Sequence, residues 1–271
     1  MLFVTPTPAD EHDPSKDCPW PGLLNPMLAA PLSAVVGGGL SVDEEGIRTP
    51  IIKVCGMREA DNIRAVEATG VDWMGFIFCS ASPRHVSSLP SYLPVHCQRV
   101  GVFVDASCEE IASKVSDFAL QVVQLHGHES PDFCRELRRV LPEGIVLMKM
   151  LPVREDSDLQ QTVAYEDVVD LFLLEPKAKA LGARHYGGSG QQFDWHLLSH
   201  YPSAHPFLLA GGLGPADAPA LAALWRQSME SDSSELARLL GFDLNSRFEV
   251  SPALKDPVQI KTFIQAIRPF S

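Results

Sequence analysis

The stretch 51–78, IIKVCGMREADNIRAVEATGVDWMGFIF, decides the fold of this chain. It opens on a short apolar run, Ile51–Cys55, and closes on another, Trp73–Phe78, with the amphipathic segment Ala60–Thr69 between them. Two short runs that are apolar on both faces, joined by an amphipathic crossover, form the repeating unit of a parallel sheet.

The same alternation continues toward the C-terminus. Further strands are expected at Arg99–Val104, Val122–Leu125, Ile145–Met150, Val169–Leu174, Phe207–Ala210 and Gly241–Leu244, which brings the number to eight. Helical segments are expected at Cys108–Phe118, Pro131–Val140, Leu159–Asp167, Trp195–His200, Pro215–Arg226 and Pro257–Ile267, and the stretch after Pro83 is the weakest helix of the series. Eight β–α units predict an α/β protein of the closed (β/α)8 TIM-barrel type, in which reactive groups sit at the C-terminal ends of the strands. An open doubly wound sheet is the alternative, although it usually has fewer strands.

Toward the N-terminus the pattern stops. Residues 1–49 are rich in Pro and Gly, hold no helical or strand period, and end in a polar segment from Ser41 to Thr49. They read as an extension or linker, poorly ordered, ahead of a barrel domain over 50–271. The apolar stretch Leu23–Leu40 is broken by Asn25, Pro26, Pro31 and Gly37 to Gly39, so it makes a poor membrane span.

Composition narrows the function. With 271 residues and 45% hydrophobic content the chain can bury a full core. A formal net charge of −12 opposes a nucleic-acid or anionic-membrane surface. The six cysteines show no paired spacing, and the acidic start around Asp10, Glu11, Asp13 and Asp17 has no export-signal character. Reduced thiols in a cytoplasmic protein are therefore expected.

Cys55 lies at the end of the first strand, just before Gly56. A cysteine there is either a small buried apolar group or a thiolate supported by cations and backbone N–H donors. Arg84, in Ser82-Pro-Arg84, is either a solvated charge or a planar fork suited to a carboxylate. The late loops carry Gly188-Ser189-Gly190, Gly211-Gly212 and Asn245-Ser246, where small residues let backbone N–H groups approach an anion. Any one of these is an ordinary turn, but three in succession favour a phosphate ligand. His126-Gly127-His128 is a weak metal signal without a carboxylate cluster. Asp194 reads as a helix cap.

Taken together, Lys53–Met57, Gly75–Phe78, Ser82–Arg84, Val100–Phe103, Val123–Gly127, Gly187–Gly190, Phe193–Trp195, Leu209–Leu213 and Asp243–Glu249 are similar in order and spacing to phosphoribosylanthranilate isomerase. The resemblance spans about Ile51 to Phe263. It implies an aldose–ketose type isomerase of tryptophan biosynthesis, working by acid–base chemistry with no metal or cofactor. A carboxylic acid at the end of the sixth strand would protonate the furanose ring oxygen of N-(5-phosphoribosyl)anthranilate. Cys55 would then take the C2′ proton from the protonated Schiff base, and the enolamine would tautomerise to 1-(2-carboxyphenylamino)-1-deoxyribulose 5-phosphate. The resemblance also places His126, Arg84 and Asp243 beside the substrate, with Asp243 alternatively ordering its loop. The partner it implies is a small anionic sugar phosphate. No protein partner is implied.

The chain departs from that pattern where the family has an aspartate, because the matching position is Glu175. One added methylene shifts a carboxyl group by roughly 1.5 Å, and misplacement of about 1 Å can cost on the order of 10²-fold in rate. Pro176 follows directly and restricts the backbone at Glu175. The segment 176–186 is also longer than the resemblance leads one to expect, and Ala253 stands where a glycine is more typical. These departures keep two other readings open: a catalytically impaired paralogue acting as a phosphate-binding or regulatory barrel, and an isomerase of another sugar phosphate.

Overall fold

The computed structural model of the chain describes residues 48–177, 195–230 and 235–268. Within them eight parallel strands close into a barrel in sequence order. They are β1 (Ile51–Cys55), β2 (Trp73–Ile77), β3 (Gln98–Phe103), β4 (Val122–Leu125), β5 (Val146–Val153), β6 (Leu171–Pro176), β7 (Phe207–Leu209) and β8 (Leu239–Leu244). Closure is made by β8 lying parallel to β1, with Ile51 opposite Gly241 and Lys53 opposite Asp243. The expectation for residues 1–49 falls almost wholly outside the described residues.

Strand side chains alternate between two buried environments. Ile51, Cys55, Trp73, Val100, Val102, Val122, Met148, Leu171, Leu173 and Leu208 pack with one another in the barrel interior. Their neighbours Ile52, Val54, Met74, Phe76, Val123, Phe172, Leu174 and Phe242 pack outward against the helices. Both faces are buried, which is why the strands read as continuous apolar runs.

One residue alters this alternation. Leu240 packs inward and Phe242 outward, yet the pairing with β7 jumps from Leu239 to Gly241 across a single step of β7. This is a β-bulge. A Cβ on Gly241 would lie 1.9 Å from the Ile51 carbonyl oxygen, so the close approach to β1 requires glycine. The extra residue brings Asp243 onto the inward face.

Several helices match their expected spans and are capped by their own sequences. They are α1 (Ala60–Glu67), α2 (Cys108–Phe118), α3 (Pro131–Val140) and α6 (Pro257–Ile267); the single turn α4 (Asp156–Leu159) lies ahead of its expected span, and α5 (Ala218–Glu230) follows a 3-10 turn at Pro215–Asp217 and runs four residues past the expected Arg226. Ser107 caps α2, Ser130 followed by Pro131 opens α3, and Asp256 followed by Pro257 opens α6. At the end of α1, Gly70 takes a left-handed conformation at φ 86°.

The structure corrects other expectations. The segment after Pro83 forms no helix; it is interrupted by Pro90 and Pro94, and the Glu67 carboxylate holds it by accepting from the Tyr92 hydroxyl and the Val95 and His96 backbone N–H groups. The helix expected at Leu159–Asp167 is the short α4 followed by a 3-10 segment over Gln160–Tyr165. Trp195–His200 is likewise a 3-10 segment. Strand β6 begins two residues late, because Val168 and Val169 donate back to the Tyr165 carbonyl, and it runs on through Glu175 and Pro176. Glu175 thus lies in a strand, and alternation with Leu171 and Leu173 points it inward.

After β8 a short antiparallel ladder of β9 (Glu249–Ser251) and β10 (Leu254–Lys255) folds back, and no apolar period in the sequence announced it. Ala253 in its turn is buried and sits at φ 68°. A Cβ in that region is strained. Replacement Ala253→Gly is expected to raise the unfolding free energy by about 0.5–1 kcal/mol, read from the urea midpoint; an unchanged or lower midpoint would show that the turn bears no such strain.

Candidate active site

The C-terminal mouth of the barrel holds one cavity among the described residues, lined in part by Cys55, Cys79, Gln124, His126, Glu175, Gly211, Gly212, Asp243, Asn245 and Ser246. Eight of the twelve site residues expected from sequence therefore converge there. Gly188, Ser189 and Gly190 lie outside the described residues, as does Asp194. Arg84 does not line the cavity.

Cys55 ends β1 and is 4% exposed. Room for its thiol comes from Gly75 on β2, where a Cβ would sit 2.8 Å from the Cys55 Sγ. Lys53, two residues earlier on the same inward face, is fully buried and donates to Asp243 Oδ2 at 2.7 Å. Burial works against a charged Lys53, but Asp243 and Cys55 hold its pKa above the ordinary lysine value. Burial, joined by the Asp243 charge, holds the Cys55 thiol above its ordinary pKa, against the opposite pull of Lys53 and Lys255.

Behind this group stands a second buried cluster. Arg84 donates through Nε and Nη2 to the two carboxylate oxygens of Glu249, at 2.8 and 2.7 Å. Lys255 donates to Glu249 and, at 2.9 Å, to Asn245 Oδ1. Burial raises the Glu249 carboxyl, yet Arg84 and Lys255 prevail and hold it below its usual range. A Cβ on Gly56 would meet the Arg84 stem at 2.7 Å, so that glycine lets Arg84 lie against the end of β1. The fork expected to meet a substrate carboxylate is thus engaged by a carboxylate of the chain itself. Lys53, Arg84 and Lys255 face only Asp243 and Glu249 in this cluster, three cations against two carboxylates. The unmatched positive charge offsets part of the burial that opposes a Cys55 thiolate and suits an acidic group of a ligand.

Across the mouth, Glu175 Oε2 lies 3.4 Å from His126 Nε2. Gly211, at φ 84°, makes this possible: a Cβ there would lie 2.1 Å from Pro176 Cδ and 3.0 Å from Glu175 Cγ. The glycine read from sequence as a phosphate loop also gives the longer acid its space. Gly212 follows at φ 66°, and this turn faces Asn245 and Ser246 across the cavity. Lys177, beyond Pro176, is tied to Asp158 at 2.9 Å and to the Val153 carbonyl, which anchors the end of β6.

His126 Nδ1 accepts from the Gln124 amide nitrogen, 2.8 Å away. His128 instead faces outward onto Asp105, so the two histidines do not converge. Among the described residues no cluster of three His, Cys, Asp or Glu groups is placed to hold a metal. Gln124, Lys255 and Glu249 were not singled out from sequence. Gln124 gave a usable signal as a polar residue at an inward strand position, whereas Lys255 and Glu249 meet the mouth only through the hairpin.

The fold and this mouth define a (β/α)8-barrel enzyme whose titratable groups face one another across the strand ends. The family model for N-(5′-phosphoribosyl)anthranilate isomerase matches residues 52–266, so the chain belongs to that family. An N-(5′-phosphoribosyl)anthranilate isomerase from Phocaeicola vulgatus is 44% identical over 218 residues, 80% of this chain and 98% of that protein. The solved Thermotoga maritima enzyme is 28% identical with a TM-score of 0.64, over 82% of this chain and 100% of that one. A phosphoribosyl anthranilate isomerase solved with reduced 1-(o-carboxyphenylamino)-1-deoxyribulose 5-phosphate is 25% identical with a TM-score of 0.60, over the same shares of the two chains.

Burial, with Lys53 and Lys149 nearby, lowers the His126 pKa to about 3. Between that value and the ordinary histidine pKa near 6.5 the unfolded chain binds a proton that the folded chain does not. The stability contributed by neutral His126 is complete above about pH 6.5 and is lost as the pH falls toward 3, by at most about 1.4 kcal/mol per unit. Urea titrations across this range should show a shallower acid loss in His126→Asn than in the parent. Equal slopes would show that His126 titrates normally.

Proposed function

We propose that the mouth carries out the Amadori rearrangement of N-(5-phosphoribosyl)anthranilate, with Glu175 as general acid and Cys55 as general base. The observation that carries this reading is the placement of the two groups on β1 and β6, facing one cavity. Glu175 gives its proton to the furanose ring oxygen as the C1′–O bond breaks and its electron pair passes to that oxygen. The anilino nitrogen lone pair forms the iminium. Cys55, as thiolate, removes the C2′ proton, the C–H electrons form the C1′=C2′ bond, and the iminium electrons return to nitrogen. Protonation at C1′, with loss of the 2′-hydroxyl proton as the C1′=C2′ electrons move to carbon and the O–H electrons form the carbonyl, gives the ketone.

The charge pattern suits this order. The cations behind Cys55 work against the burial that opposes its thiolate, and Glu175 lies 3.4 Å from the His126 imidazole, which burial keeps neutral. The phosphate belongs with Gly211, Gly212, Asn245 and Ser246, and Asp243 Oδ1 is a buried acceptor without a hydrogen-bond partner among the described residues. A ligand N–H or O–H suits it. Arg84, held by Glu249 and outside the cavity lining, adds its positive charge beside Cys55. Action in the cytoplasm belongs to the same reading: the five described cysteines are free thiols, and no described helix is long and apolar enough to cross a membrane.

Loss of the fluorescent substrate, followed with purified protein, tests the assignment. Cys55→Ala and Glu175→Gln should each lower kcat by about 10²–10⁴-fold with little change in KM. Glu175→Asp should cost on the order of 10²-fold, because Gly211 and Pro176 fit the longer side chain. Wild-type protein that binds the reduced product analogue without turnover would replace this function with a binding barrel, and full activity in Glu175→Gln would remove Glu175 from the mechanism.

A further inference from the structure

We propose that Gln124 is a positioning residue of this site, holding His126 in the tautomer that carries its proton on Nε2 and so aiming that N–H at Glu175. The inference deepens the function proposed above, since it rests on Glu175 as the acid.

Gln124 and His126 stand two residues apart at the end of β4, on the same inward face, and Gln124 is 1% exposed. The amide nitrogen of Gln124 lies 2.8 Å from His126 Nδ1, and His126 Nε2 lies 3.4 Å from Glu175 Oε2. The charged and titratable groups around this imidazole are Lys53 on β1, Lys149 on β5, Glu175 on β6, and Cys55 and Asp243 on the far wall. Two lysines and burial keep the ring neutral. A neutral imidazole has one N–H and one lone pair, so the partner at one nitrogen dictates the role of the other. An amide N–H donor at Nδ1 makes that nitrogen the acceptor and leaves the proton on Nε2.

The chemical consequence is a bond that strengthens during the reaction. At 3.4 Å the Nε2–Glu175 contact is longer than an ordinary hydrogen bond, as suits a carboxyl that is still protonated. It becomes charge-assisted as Glu175 releases its proton to the sugar ring oxygen. Interactions stronger in the transition state than in the ground state lower the barrier. The opposite tautomer would offer Glu175 a lone pair, which retains the acidic proton. The same arrangement leaves Gln124 Oε1, on a cavity-lining residue, buried with no hydrogen-bond partner among the described residues, an acceptor for a substrate donor.

Nitrogen-15 NMR of histidine-labelled protein without substrate reads the tautomer directly, with the His126 signals assigned by their loss in His126→Asn. The parent should show neutral His126 with its proton on Nε2 throughout neutral and mildly acid pH. Gln124→Glu keeps an oxygen toward the cavity but presents an acceptor to Nδ1. It should move the proton to Nδ1 and lower kcat about tenfold, the equivalent of one hydrogen bond, with KM within about twofold. Gln124→Met, of similar volume, should give both tautomers and covers the case in which the charged variant does not fold. A proton on Nδ1 in the parent would overturn the proposal, as would a Gln124→Glu variant whose proton moves while kcat stays unchanged. The spectrum needs no turnover, so an inactive parent would count against the proposed function and leave the tautomer to decide this inference.

Discussion

The 2.7 Å ion pair between Lys53 and Asp243 joins the first strand of the barrel to the last. Both residues are buried and directly opposite in register. Neither charge is tolerable alone: removal of one partner from such a pair typically costs about 3–5 kcal/mol because the other is left uncompensated. The pair therefore fixes how β8 sits on β1, and it places a cation beside Cys55. Closure of the barrel and preparation of the thiol are consequences of one contact.

That contact depends on parity. Strand side chains alternate with a period of two, so Asp243 faces Lys53 only because the bulge at Gly241 inserts one residue into β8. Glycines at other mouth positions work by space rather than by flexibility alone. Gly75 admits the Cys55 thiol, and Gly211 admits the methylene that distinguishes Glu175 from an aspartate. The longer acid and its proline are thus matched by a neighbour on the next loop. Sequence reading had treated that glycine only as a place for phosphate.

Much of the architecture was legible because its signals are local. The apolar runs of β1 to β5, the caps Ser107, Ser130 and Asp256, and the prolines opening α3 and α6 each state their structure within a few residues. Where an outcome depended on hydrogen bonds to distant residues, the reading was less secure. The segment after Pro83 is shaped by Glu67 from the preceding helix, and β6 starts where Tyr165 releases the backbone. The β9–β10 ladder has no apolar period because its apolar residues Val250 and Leu254 are exposed while its buried residue is Lys255, tied to Asn62 and Glu249.

Which chemical groups the mouth contains was written in the residues at the strand ends, because a β–α repeat sends every such residue to the same face of the barrel. Cys55, His126, Glu175 and Asp243 are visible in that way. Their pairing was not. That Arg84 is held by Glu249, that Lys53 is matched by Asp243, and that Gln124 meets His126 Nδ1 while His126 Nε2 faces Glu175 are facts of distance between side chains. Charge state and tautomer follow from those distances and from burial, and both exist only once the strands have closed around them.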